Sequence, residues 1–168
     1  DVTNFTLRNS WVNRIQFVQP KNRGTNLTTS RVVFESSVLR DVVFLTSSLN
    51  GVSFDNTEHH GVDFGYGSVN NVNFTDVVLG AAALPRMDPV GNEQIAMNNG
   101  FIGYIDGMIT VSNARFERVL GEYPSDAYPM NFVYANAENV TFTESNVSLL
   151  IANCESFKDL MILDSIIP

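Results

Sequence analysis

Phe recurs at positions 34, 44, 54, 64 and 74, and Val stands two residues ahead of each, at 32, 42, 52, 62 and 72. The stretch reads VVFESSVLRD, VVFLTSSLNG, VSFDNTEHHG, VDFGYGSVNN and VNFTDVVLGA without a gap. With 12 Phe in 168 residues, four further matches at fixed spacing arise by chance roughly 3 times in 100,000. The period therefore outranks any local helix or strand assignment. Midway between the Phe residues stand Leu39, Leu49, His59, Val69 and Leu79, which halves the unit to five residues.

Five matches neither the 3.6 of a helix nor the 2 of a flat strand. A chain that buries a large side chain every fifth residue, and a smaller one two earlier, must turn a corner about once per unit. Four units then close a square. The residue between the two buried positions points outward, as alternation in an extended segment requires, and Val43, Ser53, Asp63 and Asn73 hold those positions. The phase recurs in Phe5-Leu7, Ser10-Val12 and Ile15-Phe17, in Ile109-Val111 and Ala114-Phe116, and from Met130 to Val147, with weaker units centred on Ala152, Phe157, Ile162 and Ile167. Together these make between five and six coils, a stub ~27 Å tall at ~4.8 Å per coil.

Proline marks the interruptions. Pro20, Pro85, Pro89, Pro124 and Pro129 all lie between in-phase runs, where a missing N–H breaks no ladder. The expectation is one β-helix domain over residues 1–168 with loops near 18–31, 80–105 and 119–129. A loop as long as the second tends to be functional or disordered.

The units resemble the pentapeptide-repeat proteins, whose motif is a small apolar residue, Asp or Asn, Leu or Phe, then two free residues. Ala135-Asn136-Ala137, Val62-Asp63-Phe64, Val72-Asn73-Phe74 and Met130-Asn131-Phe132 match it best, and about two thirds of the chain takes part. The chain departs from the motif in preferring Val to Ala at the small position and in carrying Asp or Asn at only some middle positions. The resemblance implies an all-β fold, a right-handed, four-sided parallel β-helix. A three-sided helix of the pectate-lyase type is the rival, but its coils vary in length whereas ten consecutive units here do not.

Twenty residues per coil would stack Phe34, Phe54 and Phe74 in one column, Phe44 and Phe64 opposite, Leu39, His59 and Leu79 in a third, and Leu49 and Val69 in a fourth. The apolar stretch Leu160-Met161-Ile162-Leu163 with Ile166-Ile167 either closes the last coil, continues into a part of a longer protein, or pairs two copies end to end.

Charge and composition narrow the chemistry. The chain holds 18 Asp and Glu against 10 Lys and Arg, a net charge of -8, which argues against direct binding to a nucleic-acid backbone. The bases Arg8, Arg14, Lys21, Arg23, Arg31 and Arg40 gather in the first 40 residues. Cys154 stands alone, so an internal disulfide framework and a cysteine zinc cage are both excluded; it reads as a small buried residue. No apolar run reaches the ~18–20 residues that span a bilayer, and no charged-then-apolar leader opens the chain. Because it begins at Asp1, it reads as an excised or processed piece. His59 and His60 are adjacent, so their side chains point to opposite faces and do not share one ion. Gly61, Gly65 and Gly67 fall at free positions of the repeat, where corners want them, and form no phosphate loop.

No catalytic residue, metal ligand or cofactor is therefore assigned. The leading expectation is a non-catalytic rigid rod that binds a protein partner through its loops, with Leu84, Arg86, Met87, Asp88, Glu93, Tyr123 and Tyr128 as candidate contacts. Two other classes stand beside it. One is an acidic DNA mimic that binds a type II topoisomerase, as the resemblance to the quinolone-resistance branch of the family implies. The other is a carbohydrate-active β-helix enzyme, which would need carboxylates aligned on neighbouring coils; Asp41 with Asp63, and Asp55 with Asp76, come near that spacing without matching it. Sequons at Asn4, Asn26, Asn73, Asn139 and Asn146 leave an extracellular or luminal setting open, and the chain is similar in style to the glycosylated luminal domain of the synaptic-vesicle glycoprotein family.

Overall fold

A computed structural model describes residues 2–18, 28–45, 48–65, 67–80, 99–102, 109–121 and 130–167. Among these residues the chain is all β, with sixteen strands and no helix, and every strand pairing is parallel. One sheet runs in the order β1 (Val2–Arg8), β4 (Thr28–Glu35), β6 (Ser48–Asp55), β8 (Ser68–Thr75), β11 (Ile109–Glu117), β14 (Ala135–Thr143) and β16 (Ser156–Leu163). In the second, β2 (Trp11–Asn13) and β3 (Gln16–Val18) both pair with β5 (Val38–Leu45), which pairs with β7 (Glu58–Gly65). Beyond β7 the short strands β9 (Val78–Gly80) and β10 (Gly100–Ile102) take its two halves. Then β12 (Leu120–Gly121) continues from β9, while β13 (Met130–Val133) and β15 (Leu149–Ala152) continue from β10.

The chain thus alternates between two sheets and returns to register after 20 residues wherever it is uninterrupted: Phe34 opposite Phe54 opposite Phe74, and Phe44 opposite Phe64. Both columns run further than the uninterrupted repeat. The first continues through Phe116 and Phe142, and the second starts at Phe17 and continues through Phe101 and Phe132. Within a column the rings stack with near-parallel planes, their centroids 4.4–5.2 Å apart. Between columns they meet edge-on at 6.0–6.5 Å. Both are favoured arrangements of aromatic quadrupoles. Leu39, His59 and Leu79 share a column, as the spacing predicts, and so do Leu49 and Val69.

The five-residue unit is visible in the backbone. Positive φ recurs at Asn4, Asn9 and Arg14, at Arg31 and Ser36, at Gly51, Asn56 and Gly61, at Asn71 and Asp76, and at Tyr134, Asn139 and Glu144, five residues apart within each group. A left-handed residue bends an extended chain sharply, and Asn, Asp and Gly reach that region most readily. Gly61 and Gly67 have positive φ, whereas Gly65 ends strand β7.

Several sequence expectations are corrected here. The first interruption is shorter than 18–31, because Val18 closes β3 and β4 begins at Thr28. The stretch expected as a loop from 80 to 105 contains β10, whose Phe101 fills the second column, and the loop expected from 119 contains β12. Around residue 150 the register slips by one: Ile151, not Ala152, stands opposite Phe132, and the frame is restored where Phe157 pairs with Ala137. The five prolines between the runs lie outside the described residues.

Candidate functional site

All seven loop residues singled out from the sequence, Leu84, Arg86, Met87, Asp88, Glu93, Tyr123 and Tyr128, lie outside the described residues. What the fold supplies is the frame from which their segments depart. The chain leaves the second sheet after Gly80 in one circuit and after Gly121 in the next, and Leu79 pairs with Gly121. It returns at Asn99 and at Met130, where Gly100 pairs with Asn131 and the Asn131 N–H donates to the Asn99 carbonyl at 2.9 Å. Departures and returns of the two segments are thus stacked one above the other.

The outward residues beside these points are unusually enclosed. Asp63 and Asn131 occupy outward middle positions of their units yet are each only 6% exposed. Between them stands Gly100, with φ +155°, where an added Cβ would overlap the Asn131 carbonyl oxygen and lie 2.9 Å from its nitrogen. His60 lies over Gly80, whose Cβ, if present, would come within 2.6 Å of the imidazole Cε1, and Glu58 pairs with the His60 ring. His60 is therefore half-buried.

His59 faces the opposite way and is fully buried. Its Nε2 lies 2.9 Å from Thr57 Oγ1, and its ring meets Phe54 and Phe74 edge-on at 4.7 and 5.8 Å. Burial first, and the neighbouring His60 second, push its pKa down from 6.5 to about 3, so the ring is neutral at pH 7. The adjacent imidazoles point to opposite faces, and among the described residues no three His, Cys, Asp or Glu side chains come together.

Elsewhere the charges pair between neighbouring strands and corners. Arg118 donates to both carboxylate oxygens of Asp76, at 2.6 and 3.0 Å, and also pairs with Glu117. That guanidinium lowers the Asp76 pKa. Arg8 pairs with Glu35 at 2.7 Å. Asp55 aligns with Glu35 and Thr75, and Asp76 occupies the following corner, so Asp55 and Asp76 stand in different columns. Asp63 aligns with Val43 and Gly100. Cys154 is half-buried, its thiol 3.4 Å from the Phe132 carbonyl.

Two features had little sequence signal. Trp11, 65% exposed with Arg40 stacked 4.7 Å over its ring, belongs to no motif. Asn99 and Gly100 carry only the general turn signal of an Asn-Gly pair. At the far end, β16 pairs with β14 and so forms a further circuit, but its inward Leu160 and Ile162 remain 39% and 43% exposed. The sequon asparagines Asn4, Asn73, Asn139 and Asn146 are exposed, and Asn26 lies outside the described residues. No helix among the described residues is long and apolar enough to cross a membrane.

No family model matches the chain, and no curated protein does. Among solved structures it is similar to trypsin-treated QnrB1, a plasmid-mediated fluoroquinolone resistance protein, at 12% identity over 94% of this chain and 91% of that one. The TM-score of that comparison is 0.20.

Proposed function

We propose that the chain is a non-catalytic scaffold, a right-handed, four-sided β-helix of the pentapeptide-repeat kind that holds two insertions side by side for a protein partner. The observation that carries this reading is the stacking of their attachment points: Leu79 beside Gly121 on departure, Gly100 beside Asn131 on return. Two segments fixed one circuit apart on a stiff ladder are pre-positioned to act on one partner, which lowers the ordering cost of binding. Left-handed corners five residues apart and a 20-residue register support the four-sided form.

The test compares the intact chain with a variant in which residues 81–98 and 122–129 are both replaced by Gly/Ser linkers. Each is used as bait under cross-linking, after the two have been matched for strand content and melting. A partner held by the intact chain and lost by the variant supports the reading; a partner held equally by both overturns it. The DNA-mimic reading draws less support. The mimic needs an unbroken line of free negative charge about every 1.7 Å, whereas Glu35, Asp76 and Glu117 are tied to arginines.

A further inference from the structure

The long insertion between Gly80 and Asn99 returns to the ladder in a way its neighbours do not. At two other returns the inward residue uses backbone alone: the Ile109 N–H donates to the Tyr134 carbonyl at 3.1 Å, and the Met130 N–H to the Ser148 carbonyl at 3.3 Å. In each case the acceptor is the residue just before the one standing opposite. Val62 stands one residue before Asp63, and Asp63 pairs with Gly100, so Val62 is opposite Asn99. Its N–H donates instead to the side chain of Asn99, to Oδ1 at 2.9 Å. The other end of that amide, Nδ2, donates to the Gly80 carbonyl at 3.2 Å, on the residue where the chain departed. Asn99 is 1% exposed.

We infer that Asn99 is the positioning residue of this insertion: its side-chain amide stands in for a ladder peptide and ties the returning strand to the departure point, so that the rod is indifferent to the sequence between them. A carboxamide has the same donor and acceptor pair as a peptide group. The chain uses a weaker version of the device elsewhere. After the left-handed corners Ser36, Glu144 and Asp164, the hydroxyls of Ser37, Ser145 and Ser165 accept the N–H groups of Ser10, Val119 and Ser145 at 2.9–3.1 Å. The inference is independent of what the insertion binds.

The decisive substitution is Asn99→Val. Val42 and Val62 fill the same column, so if only packing mattered, Val would match or exceed Asn in stability. A splice predicts the reverse: the buried Val62 N–H loses its acceptor, the melting midpoint falls by roughly 5–10 °C, and the Val62 amide exchanges its hydrogen at least about tenfold faster. Asn99→Ser, which restores an acceptor of the kind found at Ser37 and Ser145, is expected to recover part of both losses. An Asn99→Val protein that melts at or above the parent with Val62 protection unchanged overturns the inference. Replacing residues 81–98 by a Gly/Ser linker, with Asn99 kept, is expected to leave a single cooperative transition; its disappearance would overturn the claim of indifference.

Discussion

Phe54 touches more of the core than its own strand supplies. Its ring is stacked between Phe34 and Phe74 at 5.2 and 5.0 Å and meets Phe44 and Phe64 edge-on, with no exposure. Phe54→Ala should cost about 3–5 kcal/mol, the usual range for a buried aromatic, read as a lower urea midpoint. Two residues along the next strand, His59 is the one polar ring among the described residues of that interior. Its folded pKa of about 3 lies below its ordinary 6.5, so between these values the unfolded chain binds the proton that the folded chain refuses. Stability from this source is complete above pH 6.5 and falls by about 1.4 kcal/mol per unit as pH drops toward 3. His59→Leu, which continues the Leu39 and Leu79 column, should be more stable in acid and show a flatter pH profile. Equal slopes for the two proteins in thermal melts between pH 4 and 6 would contradict the assignment.

At the scale of the element, the strand is only part of the unit; the left-handed corner is the other part. Asn and Gly occupy many corners, but Glu144 and Tyr134 also adopt φ 50° and 49°, a conformation that costs an L-residue about 1–2 kcal/mol. Glu144 is exposed and its backbone alone serves the ladder, through a 3.0 Å bond to the Leu163 carbonyl. Glu144→Gly should therefore stabilise the protein by about 0.5–1 kcal/mol despite the added chain entropy, measurable by denaturant titration. Corners also explain what the sequence made plain. Val32, Phe34 and their repeats were legible because each unit obeys the same two-position burial rule. Strand β10 was not, because Asn99 takes an apolar slot, Gly100 takes the middle position and Phe101 stands at a distance from Phe64 that the insertion has shifted off the five-residue grid. The slip at Ile151 was hidden for a similar reason: one residue is lost before it and one regained after it, so Phe157 still falls in phase. For the candidate site, the sequence marked where the chain departs, but the stacking of Leu79 and Gly121 emerges only from the pairing.

Over the whole molecule, each circuit finds its partners in the circuits beside it, so local stability sums neighbour terms. Circuits holding Phe54, Phe64 and Phe74 are covered on both sides, whereas β15 and β16 leave Ile151, Leu160 and Ile162 more than a third exposed. Hydrogen exchange should accordingly be slowest in β6, β7 and β8 and fastest in β1 and β16, a gradient from the middle of the sheets to their edges. Uniform protection would mean one cooperative block. The parallel in-register ladder also bears on how such a chain can change over time. A length change confined to a corner leaves every column above and below in frame, provided the chain comes back opposite its old partner. The compensated slip around Ile151 and the graft closed by Asn99 are two outcomes of that tolerance. New surface can therefore be added at the bends while the aromatic spine is inherited untouched.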